Sequence, residues 1–512
     1  MTTSARSNAS LTLVLAAMTL ANAMILVDQT AVPLALPDIM KGFGVGSAKV
    51  QWVLNASLLP LAGLLIFGGR LGDLLGRRRI FLIGSIVFAS ASAVGGLAPE
   101  FDVLLIARAC QGVGGALMLP ATVAIISSTF PPAQRGKALG TMGGLAAVAA
   151  ALGPTIGGVL TSAFSWRAVL LVNVPLAVGT VLLTLRHVDP DPEPAQREPI
   201  DTAGTALLSI ALIGIVFGLS QSQPWGWDDP GVWVPLAAAV AAAVAFVVHE
   251  RRSAHPLMRF GLLRHRNYAG ATLSQLLSGM AEIGLGVIFP LLLILNLEMS
   301  PALAGLALIP TTLPMIAIAP LAGRWYDRAG GRPPLVAGFS LLAVSGVLMA
   351  IGADHHSYVA ILPGLLVYGV GLSLVLTVND PVSVDEIPQA DQGQASGVSA
   401  TAEQFGGALG IAILYSIFHG SYIDRLHANV EASPLSNLTD AQYAQLRHTL
   451  ESAEATGLHL QAIDPFMRGY VLIARGAAQH GYVMTFVAVA VIAAVGAALV
   501  AWLVRKPPAL AG

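Results

Sequence analysis

The sequence predicts an all-α integral membrane protein of fourteen transmembrane helices: two six-helix bundles with two further helices inserted between them. Three observations carry that expectation. The first is composition: 55% of the 512 residues are hydrophobic, only 11% are charged, and the mean hydropathy is +0.73. A soluble domain carries about 25% charged residues, so this chain has too few to hydrate a surface of its size. The second is a series of apolar runs of about 20 residues, each long enough to cross the hydrocarbon core as a helix. The third is a glycine–aspartate–arginine pattern that occurs twice, from Gly69 to Arg79 and from Gly323 to Arg332.

Taken in order, the runs lie at roughly 11–36, 48–69, 80–98, 102–126, 138–163, 167–185, 203–220, 231–248, 268–295, 301–322, 335–352, 357–379, 395–418 and 481–504. All are too long and uninterrupted for barrel strands. The first follows Arg6, outruns a signal-peptide core and ends in proline-rich sequence, so it reads as a retained span. With a cytoplasmic N-terminus, the inside segments hold 19 of the 27 Lys and Arg, among them Arg70, Arg77, Arg78, Arg79, Arg324, Arg328 and Arg332. Short outside loops hold only Lys41, Lys49 and Arg167. This bias follows the positive-inside rule and puts both termini on the cytoplasmic side of the membrane. One inside loop, from Asp380 to Asp391, is acidic and runs against the trend.

Each copy of the repeated pattern reads Gly, three residues, Asp, two residues, Gly, then Arg, with one extra glycine in the second. The named positions are Gly69, Asp73, Gly76 and Arg77, then Gly323, Asp327, Arg328 and Arg332. Glycine permits a tight reversal, and the aspartate can cap a helix end and pair with a nearby arginine. Such a loop can latch two helices together. The alternative is a cytoplasmic loop whose arginines serve topology alone. Each copy follows the second span of a six-span block, yet the copies start about 254 residues apart, more than six spans need. Spans 7 and 8 fill the excess. The layout is therefore residues 1–190 as an N-terminal bundle, 191–266 as linkers with two extra helices, and 267–512 as a C-terminal bundle. The last carries a long polar periplasmic loop at about 420–480, which holds the sequon Asn437-Leu438-Thr439 and a short amphipathic pattern to about Ala455.

Composition also excludes functions. A net charge of −1 argues against a nucleic-acid partner. Cys110 is the single cysteine, so there is no internal disulfide or cysteine-based metal centre. Neither G-x-x-x-x-G-K-[ST] nor H-E-x-x-H occurs, which leaves ATP drive and metalloprotease chemistry unsupported. No enzyme, cofactor or metal is expected. An ion gradient remains: one proton falling through about 150 mV supplies roughly 3.5 kcal/mol.

Charges inside the bilayer are costly and mark function or fixed pairing. Asp28 lies in span 1, Arg108 in span 4, Glu282 near the middle of span 9 and Glu403 in the inner half of span 13. An acid in a low dielectric can exchange protons or attract a cation. One site that does both gives antiport. The bland reading is a fixed ion pair with Arg108, the only intramembrane base. For Arg108 the choice is tuning a carboxylate or pinning helices. Glu403 can also merely hydrogen-bond a neighbouring helix. Span 5 carries Gly153, Pro154, Gly157 and Gly158, which allow close packing and a bend.

Together these residues resemble the major facilitator superfamily, and within it the fourteen-span drug:proton antiporters of bacteria. Gly69–Arg79 is similar to the superfamily's signature loop, with Gly323–Arg332 as its half-repeat. Asp28-Gln29-Thr30 through Ala35-Leu36-Pro37 resembles the first-span motif, Arg108-Ala109-Cys110-Gln111-Gly112 the fourth-span motif, and Gly153-Pro154 with Gly157-Gly158 the fifth-span antiporter motif. Trp166-Arg167 and Asn173-Val174-Pro175 also fit that branch. The resemblance implies proton coupling at Asp28 and Arg108, and alternating access between the bundles. Leu74, Pro33 and Glu403 depart from it. Glu403 stands where many relatives carry a base, and with Glu282 it points to cationic cargo. The expected protein is a monomeric exporter of drugs or toxic amphipathic compounds, in contact with lipid, protons and a small-molecule substrate. The rival readings are an exporter of one endogenous metabolite, lipid or siderophore, and a non-transporting receptor on the same fold.

Overall fold

The computed structural model describes residues 8–191, 201–253, 256–388, 391–431 and 465–505. The sequon at Asn437, the pattern to Ala455, Arg6 and Arg197 lie outside the described residues. Thirteen of the described helices are long and apolar enough to span a membrane, or fourteen when a bent pair counts once. In chain order they are α1 (Asn8–Phe43), α2 (Trp52–Leu75), α3 (Arg77–Gly96), α4 (Phe101–Thr129), α5 (Pro132–Ala163), α6 (Trp166–His187) and α7 (Thr202–Trp225). Then follow α8 (Pro230–Arg252), α9 (Arg266–Asn296), α10 (Pro301–Ala329), α11 (Arg332–Asp354), α12 (Tyr358–Val384), α13 (Gln392–Glu431) and α14 (Pro465–Leu503). Call the side on which α1 begins and α14 ends the near side.

Several helices outrun their apolar cores, because an α-helix satisfies its own backbone in water as well as in lipid. α13 has 40 residues and α14 has 39, so each is about 60 Å long, twice the hydrocarbon thickness. The polar segment expected from about 420 to 480 is thus helical at both ends, through Glu431 and again from Pro465. α5 bends by 41° between Ala150 and Leu152. Pro154 supplies the cause, since its ring clashes with the carbonyl four residues back, at Ala150. The last turn of α9, Leu291–Asn296, is a π-helix.

Starts and stops follow local chemistry. Asp201 caps α7 by accepting from the Gly204 N–H at 2.7 Å, and Ser300 caps α10 through the Leu303 N–H at 3.3 Å. Pro230 and Pro301 open α8 and α10 at positions that need no N–H. The two repeated patterns are mostly helix, which corrects the loop expected for them. α2 runs to Leu75 and α10 to Ala329. One residue with positive φ makes each reversal, Gly76 at +103° and Gly330 at +76°, where a side chain would be strained.

α1, α3, α4, α5 and α6 pack around one another with α2 against α4. α9, α11, α12, α13 and α14 form the matching set, with α10 against α12. α7 and α8 pack on each other, and α7 also lies against α2 and α13. The far ends of α7 and α8 carry Trp225, Trp227 and Trp233, all exposed, as suits an aromatic belt at the membrane interface.

The two sets meet along three lines. α2 lies along α13, with Ile66 beside Gly397. Pro33 of α1 approaches Gly286 of α9. On the far side α5 is locked to α10: a Cβ at Gly158 would fall 2.2 Å from the Pro301 carbonyl oxygen, and one at Gly305 would fall 2.6 Å from that of Pro154. Thr155 donates to the Gly305 carbonyl at 3.2 Å, and the Ala302 N–H donates to Ser162 at 3.0 Å. Near-side positions on the same two helices have no such neighbours. Gly140, Gly143, Gly144 and Gly323 meet nothing within 4 Å. Between α5 and α10 the far ends are in close contact, whereas these near-side glycines are not; α2 and α13 stay in contact on the near side.

Candidate functional site

Helical spacing puts Arg108 and Gln111 on one face of α4, three residues apart. That face turns inward, and the packing of α1, α2, α3 and α6 around α4 closes over it. Arg108 is fully buried and Asp28 is 4% exposed. The guanidinium donates through Nη1 to Asp28 Oδ2 at 2.6 Å and to Gln111 Oε1 at 2.8 Å. Nη2 donates to Ser57 Oγ at 2.8 Å, and Nε to the Val53 carbonyl at 2.9 Å. The other carboxylate oxygen of Asp28 accepts from Asn173 Nδ2 at 2.9 Å and from Gln111 Nε2 at 3.5 Å. Gln111 Nε2 also donates to Ser92 at 2.6 Å.

One arginine, one carboxylate and the Gln111 amide thus tie five helices together with no excess charge. A buried pair of this kind is held by hydrogen bonds as much as by Coulomb attraction. The structure brings Asp28 and Arg108 into contact across 80 residues of sequence. Ser57 and Ser92 are partners that sequence reasoning missed, since a serine in a span carries no signal of its own. Asn173 had a signal, because an amide is costly inside a span without a partner.

The other two acids lie elsewhere, on α9 and α13. Those helices touch closely enough that a Cβ at Gly279 would fall 2.2 Å from the Glu403 carbonyl oxygen. Glu282 and Glu403 are half-buried and within electrostatic reach of each other and of Asp380. Asp380 corrects an expectation: it belongs to α12, which runs on to Val384, and not to an acidic loop. Its carboxylate accepts from Gln275 Nε2 at 3.0 Å, and Asn379 Nδ2 donates to Gln275 Oε1 at 2.9 Å. None of the three acids pairs with an arginine or lysine among the described residues. From the near side, Asp380, Glu403 and Glu282 stand about 6, 16 and 24 Å along their helices. Between the two sets Gln29 Nε2 donates to Gln404 Oε1 at 3.0 Å.

The repeated turns differ in their partners. Asp73 pairs with Arg77 at 2.9 Å across the Gly76 break, and Arg77 also donates to the Ala124 carbonyl at 3.3 Å. The cap of α3 comes from elsewhere: Asp191 accepts from the Arg78 and Arg79 N–H groups at 2.9 and 3.0 Å. Nothing near Arg78 in the chain marks an acid 113 residues downstream for that place. Asp191→Ala is expected to cost about 1 kcal/mol, as loss of a helix cap usually does. A fall of about 1–3 °C in the melting midpoint of purified protein checks it. In the second copy Asp327 and Arg328 form no ion pair among the described residues, and Tyr326 donates to Asp385 instead. Gly69 packs on Pro120, while Gly323 meets nothing. Gly153 and Gly157 pack on Thr30 and Ala31 of α1, so the span-5 glycines serve both α1 and the far-side contact with α10. No group of three His, Cys, Asp or Glu suited to a metal exists among the described residues.

Two helix sets that meet along a seam, with a buried ion pair on one side and half-buried acids on the other, are the arrangement of a membrane transporter. The chain belongs to the Major Facilitator Superfamily, whose pattern matches residues 18–411. It is 33% identical over 395 residues to the multidrug resistance protein Stp of Mycobacterium tuberculosis, covering 77% of this chain and 73% of that one. To the multidrug efflux pump LfrA of Mycolicibacterium smegmatis it is 31% identical over 499 residues, 96% of each chain. In fold it is similar to a bacterial homolog of the human lysosomal transporter Spinster, solved inward-facing and occupied. The TM-score is 0.67 at 16% identity, covering 98% of this chain and all of that one.

Proposed function

We propose that this protein is a proton-coupled exporter of drugs or toxic, cationic amphipathic compounds, working by alternating access as a monomer in the bacterial plasma membrane. Both termini face the cytoplasm, as the 19 inside bases of 27 favour. Residues 1–190 and 267–512 act as the two rocking bundles, and 191–266 carries the inserted pair. The near side is then cytoplasmic, and the seam closed at α5 and α10 makes this arrangement inward-facing. The resistance and efflux proteins among its relatives support the cargo class.

One observation carries the mechanism. The carboxylate of Asp28 is sequestered with Arg108, whereas Glu282, Glu403 and Asp380 pair with no base among the described residues, so the two sides of the seam hold acids of different kinds. Unpaired acids attract a cation entering from the cytoplasm, which favours cationic cargo. A proton reaching Asp28 from the periplasm releases Arg108, loosens the helices that the pair joins, and lets the bundles tip. Return of the pair expels the proton inward. Asp73, Arg77, Asp327 and Arg328 latch the cytoplasmic ends when that side closes, and the span-5 glycines form the periplasmic seam.

Purified protein in sealed vesicles tests this. An imposed pH gradient is expected to drive a fluorescent lipophilic cation against its concentration, and a protonophore to stop it. Cation movement that ignores both would overturn proton coupling, and preference for a neutral analogue would overturn the cargo class.

A further inference from the structure

We propose that Gln29 and Gln404 form an amide clasp across the seam, a pair of positioning residues that favours the inward-facing arrangement and is broken in each cycle. The inference rests on the alternating-access reading above. The hydrogen bond spans 3.0 Å between α1 and α13, and Gln404 is 7% exposed. Its place is informative. Successive residues of a helix point about 100° apart, so one turn of α1 addresses several partners. Asp28 faces Arg108 inside its own bundle, Gln29 reaches Gln404 across the seam, and Thr30 and Ala31 contact Gly153 and Gly157 of α5. Gly158, next along α5, meets Pro301 of α10. The charged pair, the clasp and the far-side closure are therefore fixed to one turn. A shift of that turn when Asp28 leaves Arg108 reaches all three.

On the other bundle Gln404 follows Glu403, which sits near Glu282 and Asp380. The clasp joins the two polar groups without carrying charge. Hydrogen bonds between membrane helices are worth only about 0.6 kcal/mol on average, so the contact can open on every turnover. An ion pair in the same place would hold far harder.

Spin labels at Gln134→Cys and Arg324→Cys, on the cytoplasmic ends of α5 and α10 in a Cys110→Ser chain, read the two arrangements as distances. The probes are the protein alone, then with a lipophilic cation, at pH 6 and pH 8. Gln29→Met and Gln404→Met keep side-chain length and remove the bond. Each is expected to lower the inward-open share about threefold relative to the outward-open one, with the double variant no further changed. Affinity for the cation should stay within twofold. If the parent chain shows one distance under every condition, alternating access fails and the clasp with it. If the parent exchanges but the Met variants leave the ratio unmoved, or their effects multiply in the double variant, the clasp alone is overturned.

Discussion

Asp28→Asn is expected to reduce proton-driven efflux to the background of empty vesicles, while the protein still inserts and elutes as a single species. Asparagine keeps the shape and accepts a hydrogen bond from Arg108, but it cannot exchange a proton. Removing one partner of a buried ion pair commonly costs about 3–5 kcal/mol, because the other charge is left uncompensated. Loss of activity alone would therefore be ambiguous. The Asp28→Asn, Arg108→Gln double variant resolves it by removing both charges. A fixed structural pair would be relieved by that change, and efflux would return. A proton-carrying pair would regain stability and remain uncoupled, though still able to exchange labelled cargo at equal pH. Acid-driven uptake and melting midpoints, measured on the same three proteins, separate the two.

A second large effect is expected at the far-side seam. The Cβ of any residue at Gly158 would overlap the backbone of Pro301 at 2.2 Å, and backbone cannot swing aside as a flexible side chain can. Gly158→Leu should thus prevent closure between α5 and α10 and hold the periplasmic side open. Transport is expected to fall at least about 100-fold, and reagents should reach the seam from the periplasm only. That loss corresponds to about 2.7 kcal/mol against the closed state. Gly261→Ala is the control, since nothing lies within 4 Å there. Normal turnover in Gly158→Leu would show that closure at this point is not part of the cycle.

Much of the fold was legible because crossing a bilayer is a local requirement. About 20 apolar residues must occur together, and their number and order can be read without knowing how they pack. The reversals at Gly76 and Gly330 were legible in kind, since glycine at a break follows from backbone sterics. Their extent was misread because hydropathy stops at polar residues whereas helical hydrogen bonding does not. Asp380 was misplaced for the same reason: the apolar run ends at about Asn379, but α12 continues to Val384.

The sequence by itself determined that this chain crosses a membrane many times, that its ends carry the bases, and that Asp28, Arg108, Glu282 and Glu403 stand in lipid-depth helices. Only the tertiary structure decided which charges meet. Pairing Asp28 with Arg108, capping α3 with Asp191 and joining Gln29 to Gln404 depend on how each helix is rotated and where it leans. Those contacts link residues 80, 113 and 375 positions apart. Rotation is set by the fit of many side chains at once, glycines such as Gly158 and Gly279 above all. No stretch of neighbouring letters contains that information.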